Sequence, residues 1–391
     1  MSVSIAVVIP TRNRADLAIA AIRSLQGQNV DLDVYVSDNS TTPEPLRAYC
    51  AKEPRVTYLR PASELRMPAH WDWALAEAQK RSSATHFTVH YDRRVSKPRH
   101  WGAVAAVAAR HRGAVITYTA DNISHWPPPL RIWQSAWTGR LFEIESAAAA
   151  ARITSGDFNA VAHAVPILSN CLVPRAILDA MRERFGDVCN STTPDAAFAS
   201  RFLAVCDRYL HHDVSIGIVY GSKRSNGIGF LRGEGGDFSD FRESFRDRSW
   251  LAASPLPGVN LGQNMLYHEY ELVRAVSGDR LPPLDRRAVI DDLAQAVGWV
   301  ADDSERAAFL DLMRREGWTG EEPNFAPRAP LRVRLQQAYC RFRMWMGAVP
   351  PTVCGLPFRN DRSALRACLR HPRSPETNAG HLALLSPVEI T

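Results

Sequence analysis

The sequence predicts an α/β fold: a Rossmann-like, mostly parallel sheet covered by helices, with a C-terminal helical extension. Short apolar runs alternate with helix-periodic segments over the first part of the chain, the pattern of strands joined by crossover helices. Polar residues able to do chemistry stand at the carboxyl ends of those runs, where open α/β sheets bind ligands. Beyond residue 255 the strand-like runs give way to helical spacing.

The elements follow in order. Ser4–Ile9 reads as a buried first strand stopped by Pro10, and Asp16–Gln26 as a helix with Leu17, Ile19, Ala20, Ile22 and Leu25 at helical spacing. Asp33–Val36 is a second strand ending at Ser37-Asp38-Asn39-Ser40, Leu46–Ala51 a short helix and Val56–Leu59 a third strand. Pro68–Gln79 is a helix, His86–His90 a fourth strand, Ala103–Ala109 a helix and Ala114–Tyr118 a fifth strand. Trp126–Pro129 is a turn, Ser146–Arg152 an alanine-rich segment, Ile177–Arg184 and Ala196–Tyr209 helices, and Ser215–Val219 a strand. Gly227–Asp240 is glycine-rich and acidic, the composition of a loop or linker. Helices are expected near 264–277, 285–299, 303–316 and 329–346. The chain therefore divides into an α/β domain over 1–240, a helical extension over 255–346 and a poorly ordered tail over 347–391.

Composition narrows the function. Of 391 residues, 46% are hydrophobic and 23% charged, ordinary values for a globular protein with a sizeable core. The net charge is +6, but the arginines are scattered, with no basic block and no aromatic RNA-binding motif, which argues against nucleic acid. The seven cysteines form no C-x-x-C pair, so neither a zinc site nor a disulfide scaffold is expected. No run approaches the ~18 apolar residues of a membrane span, and the N-terminus leads straight into a strand. The expectation is a cytoplasmic protein.

Three strand ends carry the candidate chemistry: Pro10-Thr11-Arg12-Asn13, Asp38-Asn39-Ser40 and Tyr91-Asp92-Arg93-Arg94. One such cluster is commonly a helix cap or turn. Three at successive strand ends point to a ligand site.

At these residues the chain resembles the family 2 glycosyltransferases, which have the GT-A fold. Val7-Val8-Ile9-Pro10-Thr11-Arg12-Asn13-Arg14 is similar to the family's first strand and donor loop, and Ala21-Ile22-Arg23-Ser24-Leu25 to the helix after it. Asp33-Val34-Tyr35-Val36-Ser37-Asp38-Asn39-Ser40 resembles the second strand, whose acid contacts the nucleobase; a carboxylate can accept a uracil N3–H. Arg66-Met67-Pro68-Ala69-His70-Trp71-Asp72-Trp73-Ala74-Leu75 resembles the segment where an arginine reaches the donor. The resemblance spans about residues 4 to 230.

One departure is informative. The family's metal-holding acidic run aligns with Asp92, Arg93 and Arg94 here, and its ligand position falls on Arg94. A guanidinium cannot ligate a cation but can bind phosphate bidentately. No metal and no other cofactor is therefore expected, although a divalent metal stays open. Either the arginines replace the metal or they mark a loss of turnover, and the first reading is preferred because a cation keeps the electrostatic role.

Ser169-Asn170-Cys171-Leu172-Val173-Pro174-Arg175 and Ser191-Thr192-Thr193-Pro194-Asp195 resemble an acceptor-side segment of a subgroup, and by that resemblance Asp195 is the catalytic base. Taken alone, Asp195 is an ordinary first-turn helix carboxylate. Gly221-Ser222-Lys223-Arg224-Ser225-Asn226-Gly227 adds Lys223 and Arg224 as diphosphate contacts, or else is a turn. His90 either lines the site or packs within its strand.

The resemblance implies inverting transfer from a nucleotide-diphosphate sugar (UDP or similar) to a glycan, lipid-linked or small-molecule acceptor. The nucleotide is expected across Thr11, Arg12, Asp38 and Arg66, with Asp38 at the surface end of its strand. Arg328–Met346 mixes arginines with Leu331, Leu335, Tyr339, Phe342 and Trp345. Such a helix suits an anionic membrane surface, or packing on the domain or on a second subunit; packing is preferred. Three alternatives stay open: a nucleotide-sugar-binding relative without turnover, a structural interaction module acting through the helical extension, and a nucleotidyltransferase, which would carry a glycine-rich loop where Pro-Thr-Arg-Asn stands.

Overall fold

A computed structural model of the chain describes residues 3–124, 131–133, 138–221, 224–225, 251–298, 300, 302–321 and 384–390. Within them, β1 (Ile5–Thr11), β2 (Leu32–Asp38), β3 (Val56–Leu59) and β4 (His86–Val89) form a parallel block in the spatial order β4-β1-β2-β3. All seven residues of β1 are buried, because a central parallel strand has both faces covered and needs an unbroken apolar run. Its register sets Thr11 beside Asp38 and Val8 beside Val89. The carboxyl ends of β1, β2 and β4 thus share one edge.

Helices α1 (Ala15–Gln26), α2 (Glu44–Cys50), α3 (Met67–Arg81) and α4 (His100–Arg110) link or follow these strands. On α1 the buried residues are Leu17, Ala18, Ala21, Ile22 and Leu25, one stripe at helical spacing. After β4 the chain turns through Tyr91–Arg93 into β5 (Arg94–Ser96). The rest of the sheet is mixed, built from β6 (Ile116–Ser124), β7 (Arg131–Trp133), β8 (Leu141–Glu145), β9 (Cys171–Pro174) and β10 (Arg208–Val219). Strand β9 lies antiparallel between β4 and β6, β10 runs parallel to β6, and β5 pairs antiparallel with β10. This is the expected α/β class, with its parallel strands in the core and helices packed on the sheet.

Between the strands lie α5 (Ser146–Thr154), α6 (Phe158–Val161), α7 (Arg175–Phe185) and α8 (Pro194–Val205). The helix expected over Ala196–Tyr209 ends earlier, at Val205, where Cys206 is extended with φ −108° and ψ 137°. The strand expected from Ser215 begins earlier, at Arg208.

The C-terminal part holds α9 (Gly262–Ser277), α10 (Arg286–Val297) and α11 (Asp303–Arg315), close to three of the four expected helices. Asp285 and Asp302 cap α10 and α11 through their side chains. Leu266, Tyr267 and Tyr270 of α9 belong to the same buried cluster as Phe198 and Phe202 of α8 and Val8 and Phe87 of the sheet. The helices therefore share the core of the α/β part. At the far C-terminus β11 (Val388–Ile390) pairs with β8. That end of the expected loose tail is an edge strand, held by ladder hydrogen bonds no local pattern announces. The expected turn Trp126–Pro129, the segment Gly227–Asp240 and the amphipathic helix Arg328–Met346 lie outside the described residues. Among the described residues no helix is long and apolar enough to cross a membrane. Cys50, Cys171, Cys189 and Cys206 are free thiols.

Candidate active site

A cavity of about 510 Å³ opens at the carboxyl edge of the parallel strands, within the range usual for small-molecule sites. Pro10 lines it from the end of β1, and Tyr91, Asp92 and Arg93 from the turn after β4. Asp195 lines it from the first turn of α8. The sequence places these five in three separate segments, and the fold brings them together.

Asp195 is held by Tyr91, whose phenol donates to Oδ2 at 2.6 Å. The other carboxylate oxygen, Oδ1, is buried without a well-formed hydrogen bond among the described residues. Burial pushes the Asp195 pKa above its ordinary value; the Tyr91 hydrogen bond, the Arg94 charge and Ser169 draw it back only in part. Burial likewise pushes the Tyr91 phenol up, with the Asp195 carboxylate adding to the effect. Tyr91 is therefore a neutral donor and Asp195 a carboxylate with raised basicity, the state that suits a general base.

The two arginines differ. Arg93 lines the cavity, is half-buried, and donates from Nη1 to the Tyr220 carbonyl at 3.1 Å. Arg94 is buried outside the lining and donates from Nη1 to the Ser169 carbonyl at 2.5 Å. Its stem runs against Gly217, where a Cβ would stand 3.1 Å from Arg94 Cγ. Their guanidinium carbons lie 5.8 and 5.1 Å from the Tyr91 ring centroid, within cation–π reach. Arg93 thus faces the cavity, while Arg94 supports Tyr91 and the Ser169 loop from below. Burial also draws the Arg93 pKa down from its ordinary value.

A third arginine enters the site that sequence reasoning had quoted without a role. Arg14 lines the cavity, and its Nε lies 2.8 Å from Asp92 Oδ2. The same oxygen accepts from Thr11 Oγ1 at 2.8 Å. Asp92 is thus engaged by two neighbours from the β1 end.

The remaining expected residues frame the edge and do not line this cavity. Asp38 is fully buried, not at the surface: Oδ1 accepts from the Ser40 amide and Oδ2 from the Tyr58 hydroxyl, each at 2.9 Å. It sits so deep because β2 lies between β1 and β3, leaving its end covered by the loop. Asn39 ties that loop to Leu65 through both side-chain atoms. Asn13 adopts φ 54° and accepts from Thr41, a left-handed conformation Asn tolerates. Arg12 pairs with Glu64 at 2.6 Å, and Arg66 is the exposed N-cap of α3. Arg224 is exposed and pairs with Asp16 at 2.8 Å, while Lys223 lies outside the described residues. His90 is fully buried between the Tyr91 carbonyl and Ser96 Oγ. Of its two readings, the structure has the packed one.

The helical part contributes what sequence reasoning missed. Gly262, Gln263, Met265 and Leu266, from the first turns of α9, line the cavity, joined by Trp71 of α3, Phe158 of α6 and Ile167. Further along α9, the buried carboxylate of Glu269 accepts from the amides of Thr192 and Thr193 at 2.6 and 3.1 Å. Those amides precede α8, so Glu269 fixes the turn that presents Asp195. No local signal marks it, because its partners lie 77 and 76 positions away.

Residues 6–121 match the family model described as glycosyl transferase family 2, the stretch that holds β1 to β4, the Tyr91–Arg94 turn and most of β6 to its Asp121. No curated protein matches the chain by sequence. Among solved structures, it is similar to residues 1–349 of TarS from S. aureus in complex with UDP-GlcNAc, with TM-score 0.46, 15% identity, and 81% of this chain and 93% of that one covered. The same protein in complex with UDP gives TM-score 0.44, 14% identity and coverage of 84% and 98%. The mannosyltransferase PcManGT from Pyrobaculum calidifontis, in complex with GDP-Man and Mn2+, gives TM-score 0.43, 12% identity and coverage of 99% and 86%. These likenesses are too distant to carry a residue role across. The family match supports nucleotide-sugar-dependent glycosyl transfer as the class of reaction.

Proposed function

We propose that the chain is an inverting, metal-independent glycosyltransferase that moves a sugar from a nucleoside-diphosphate donor to an acceptor hydroxyl. The observation that carries this reading is Asp195: a carboxylate with burial-raised basicity, bonded to Tyr91 and sharing one cavity with Arg93 and Arg14. In the step, an Asp195 oxygen takes the acceptor hydroxyl proton. The acceptor oxygen bonds to the anomeric carbon from the face opposite the diphosphate. The bond from that carbon to the diphosphate oxygen breaks, and the leaving group takes the electron pair and one further negative charge.

Arg93 and Arg14 receive that charge as fixed cations, which is how preorganised donors lower such barriers. Two observations support the metal-independent part of this reading. Among the described residues no group of three or more His, Cys, Asp or Glu could share an ion. Asp92, the acid nearest the expected position, already serves Thr11 and Arg14.

The test is a thermal-shift screen of nucleoside diphosphates and their sugars in EDTA. A bound ligand at one hundred times its Kd adds about 2.7 kcal/mol of stability. At least one nucleotide should raise the melting temperature. Stabilisation by none, with or without manganese, would overturn the reading.

A further inference from the structure

We infer that the acceptor presented to Asp195 bears an apolar group beside its reacting hydroxyl. This rests on the glycosyltransferase reading above and specifies its acceptor. The cavity walls divide by chemistry. Arg14, Asp92, Arg93 and Asp195 supply the charge needed for a diphosphate and a base. The larger share of the wall is apolar: Trp71 from α3, Phe158 from α6, Ile167, and Met265 and Leu266 from α9.

Those apolar residues come from four separate places in the chain and converge on one space beside Asp195. The charged oxygens of a diphosphate gain nothing from them. Beside the charged groups and Tyr91, the lining adds few polar side chains, those of Thr193, Ser225 and Gln263. A polyhydroxylated acceptor would therefore strip water from hydroxyls that meet the apolar share, and that is costly. An apolar body gains instead, at about fourfold in affinity for each methylene it buries, equivalent to ~0.8 kcal/mol. The aromatic pair Trp71 and Tyr91, with ring centroids 5.7 Å apart at 54°, offers a hydrophobic face ending in the hydroxyl that orients Asp195. Asp195 lines the same space as these apolar walls, so the group it deprotonates lies against them. The occupant that fits both features is an alcohol on a hydrophobic body, either a compact aglycone or the headgroup end of a lipid.

The experiment uses the full-length protein and alkyl glucosides as probes, titrated as monomers by calorimetry with a saturating nucleoside diphosphate. Octyl β-glucoside should bind at least tenfold tighter than methyl β-glucoside. Ala162→Phe, which fills the cavity from a half-buried lining position, should erase that preference. Ile167→Gln should reduce it, and thermal melts of both variants establish that they are folded. A plateau beyond octyl supports a compact aglycone, while continued gain to dodecyl supports a lipid chain leaving the cavity. Equal binding of methyl and octyl probes, or a preference unchanged in both folded variants, would overturn the proposal. Nucleoside diphosphate binding by the wild type is read separately, so loss of the acceptor inference is distinguishable from loss of the glycosyltransferase reading.

Discussion

The phenol of Tyr91 donates to the carboxylate of Asp195 across 2.6 Å, although the two residues lie 104 positions apart. This bond joins the turn after β4 to the first turn of α8. Glu269 holds the same helix start from below through the amides of Thr192 and Thr193. Asp195, the proposed base, is fixed from both sides, by the turn after β4 and by the C-terminal helices.

Replacing Asp195 by Asn should lower the rate of transfer by about 10²–10⁴, the usual contribution of a general base. Nucleotide binding, measured by calorimetry, should survive because Arg93 and Arg14 are untouched. Near-normal turnover would assign the proton to another group.

Tyr91→Phe should move the pH dependence of kcat/KM in a defined direction. Burial already holds the Asp195 pKa above 3.8, and the Tyr91 hydrogen bond lowers it by favouring the charged form. Without that bond the pKa rises further. The base is then protonated up to a higher pH, so the acid limb of the profile shifts upward and low-pH activity falls most. An unshifted limb, measured on folded variant, would show that the bond does not govern the base.

Asp38→Ala should cost stability, about 1–3 kcal/mol, because it strands the Ser40 amide and the Tyr58 hydroxyl. Urea denaturation of the variant measures this. A midpoint equal to the wild type would mean that the two bonds contribute nothing to the fold.

Much of the N-terminal half is legible in sequence because β1 is a nearly continuous apolar run, β2 and β4 are short and mostly buried, and polar loops close all three. Asp195 is legible as a first-turn acid because Pro194 marks the start of α8. The α8 to β10 boundary is not. No glycine or proline separates Val205 from Arg208. The strand buries His211, His212 and Asp213 along with its apolar residues, so no two-residue alternation shows. The depth of Asp38 and Arg94 is equally hidden: Asp38 is covered by the flanking strands and its own loop, and Arg94 by Ser169 and Gly217 far along the chain. Arg14 and Glu269 act through contacts 78 and 77 or 76 positions away, beyond any local pattern.

Gly217→Ala should destabilise the fold by about 1–3 kcal/mol, the cost of overpacking. Its Cβ would stand 2.9 Å from the Val95 carbonyl oxygen and 3.1 Å from Arg94 Cγ, and the carbonyl belongs to the paired β5 strand. Displacing Arg94 should also loosen Tyr91. A urea midpoint equal to the wild type would mean that the strand pair yields without cost.

The central claim is that arginine takes the place of a cation at the diphosphate. The direct measurement is calorimetric binding of the most stabilising nucleoside diphosphate, in EDTA and again in manganese, to the wild type and to Arg93→Ala. Wild-type affinity should change by less than about tenfold, 1.4 kcal/mol, between the two conditions. Arg93→Ala should weaken binding in both by about 1.5–3 kcal/mol, the range for a hydrogen bond to a charged group. Wild-type binding that collapses in EDTA and returns with manganese, while Arg93→Ala binds as well as the wild type, would contradict it.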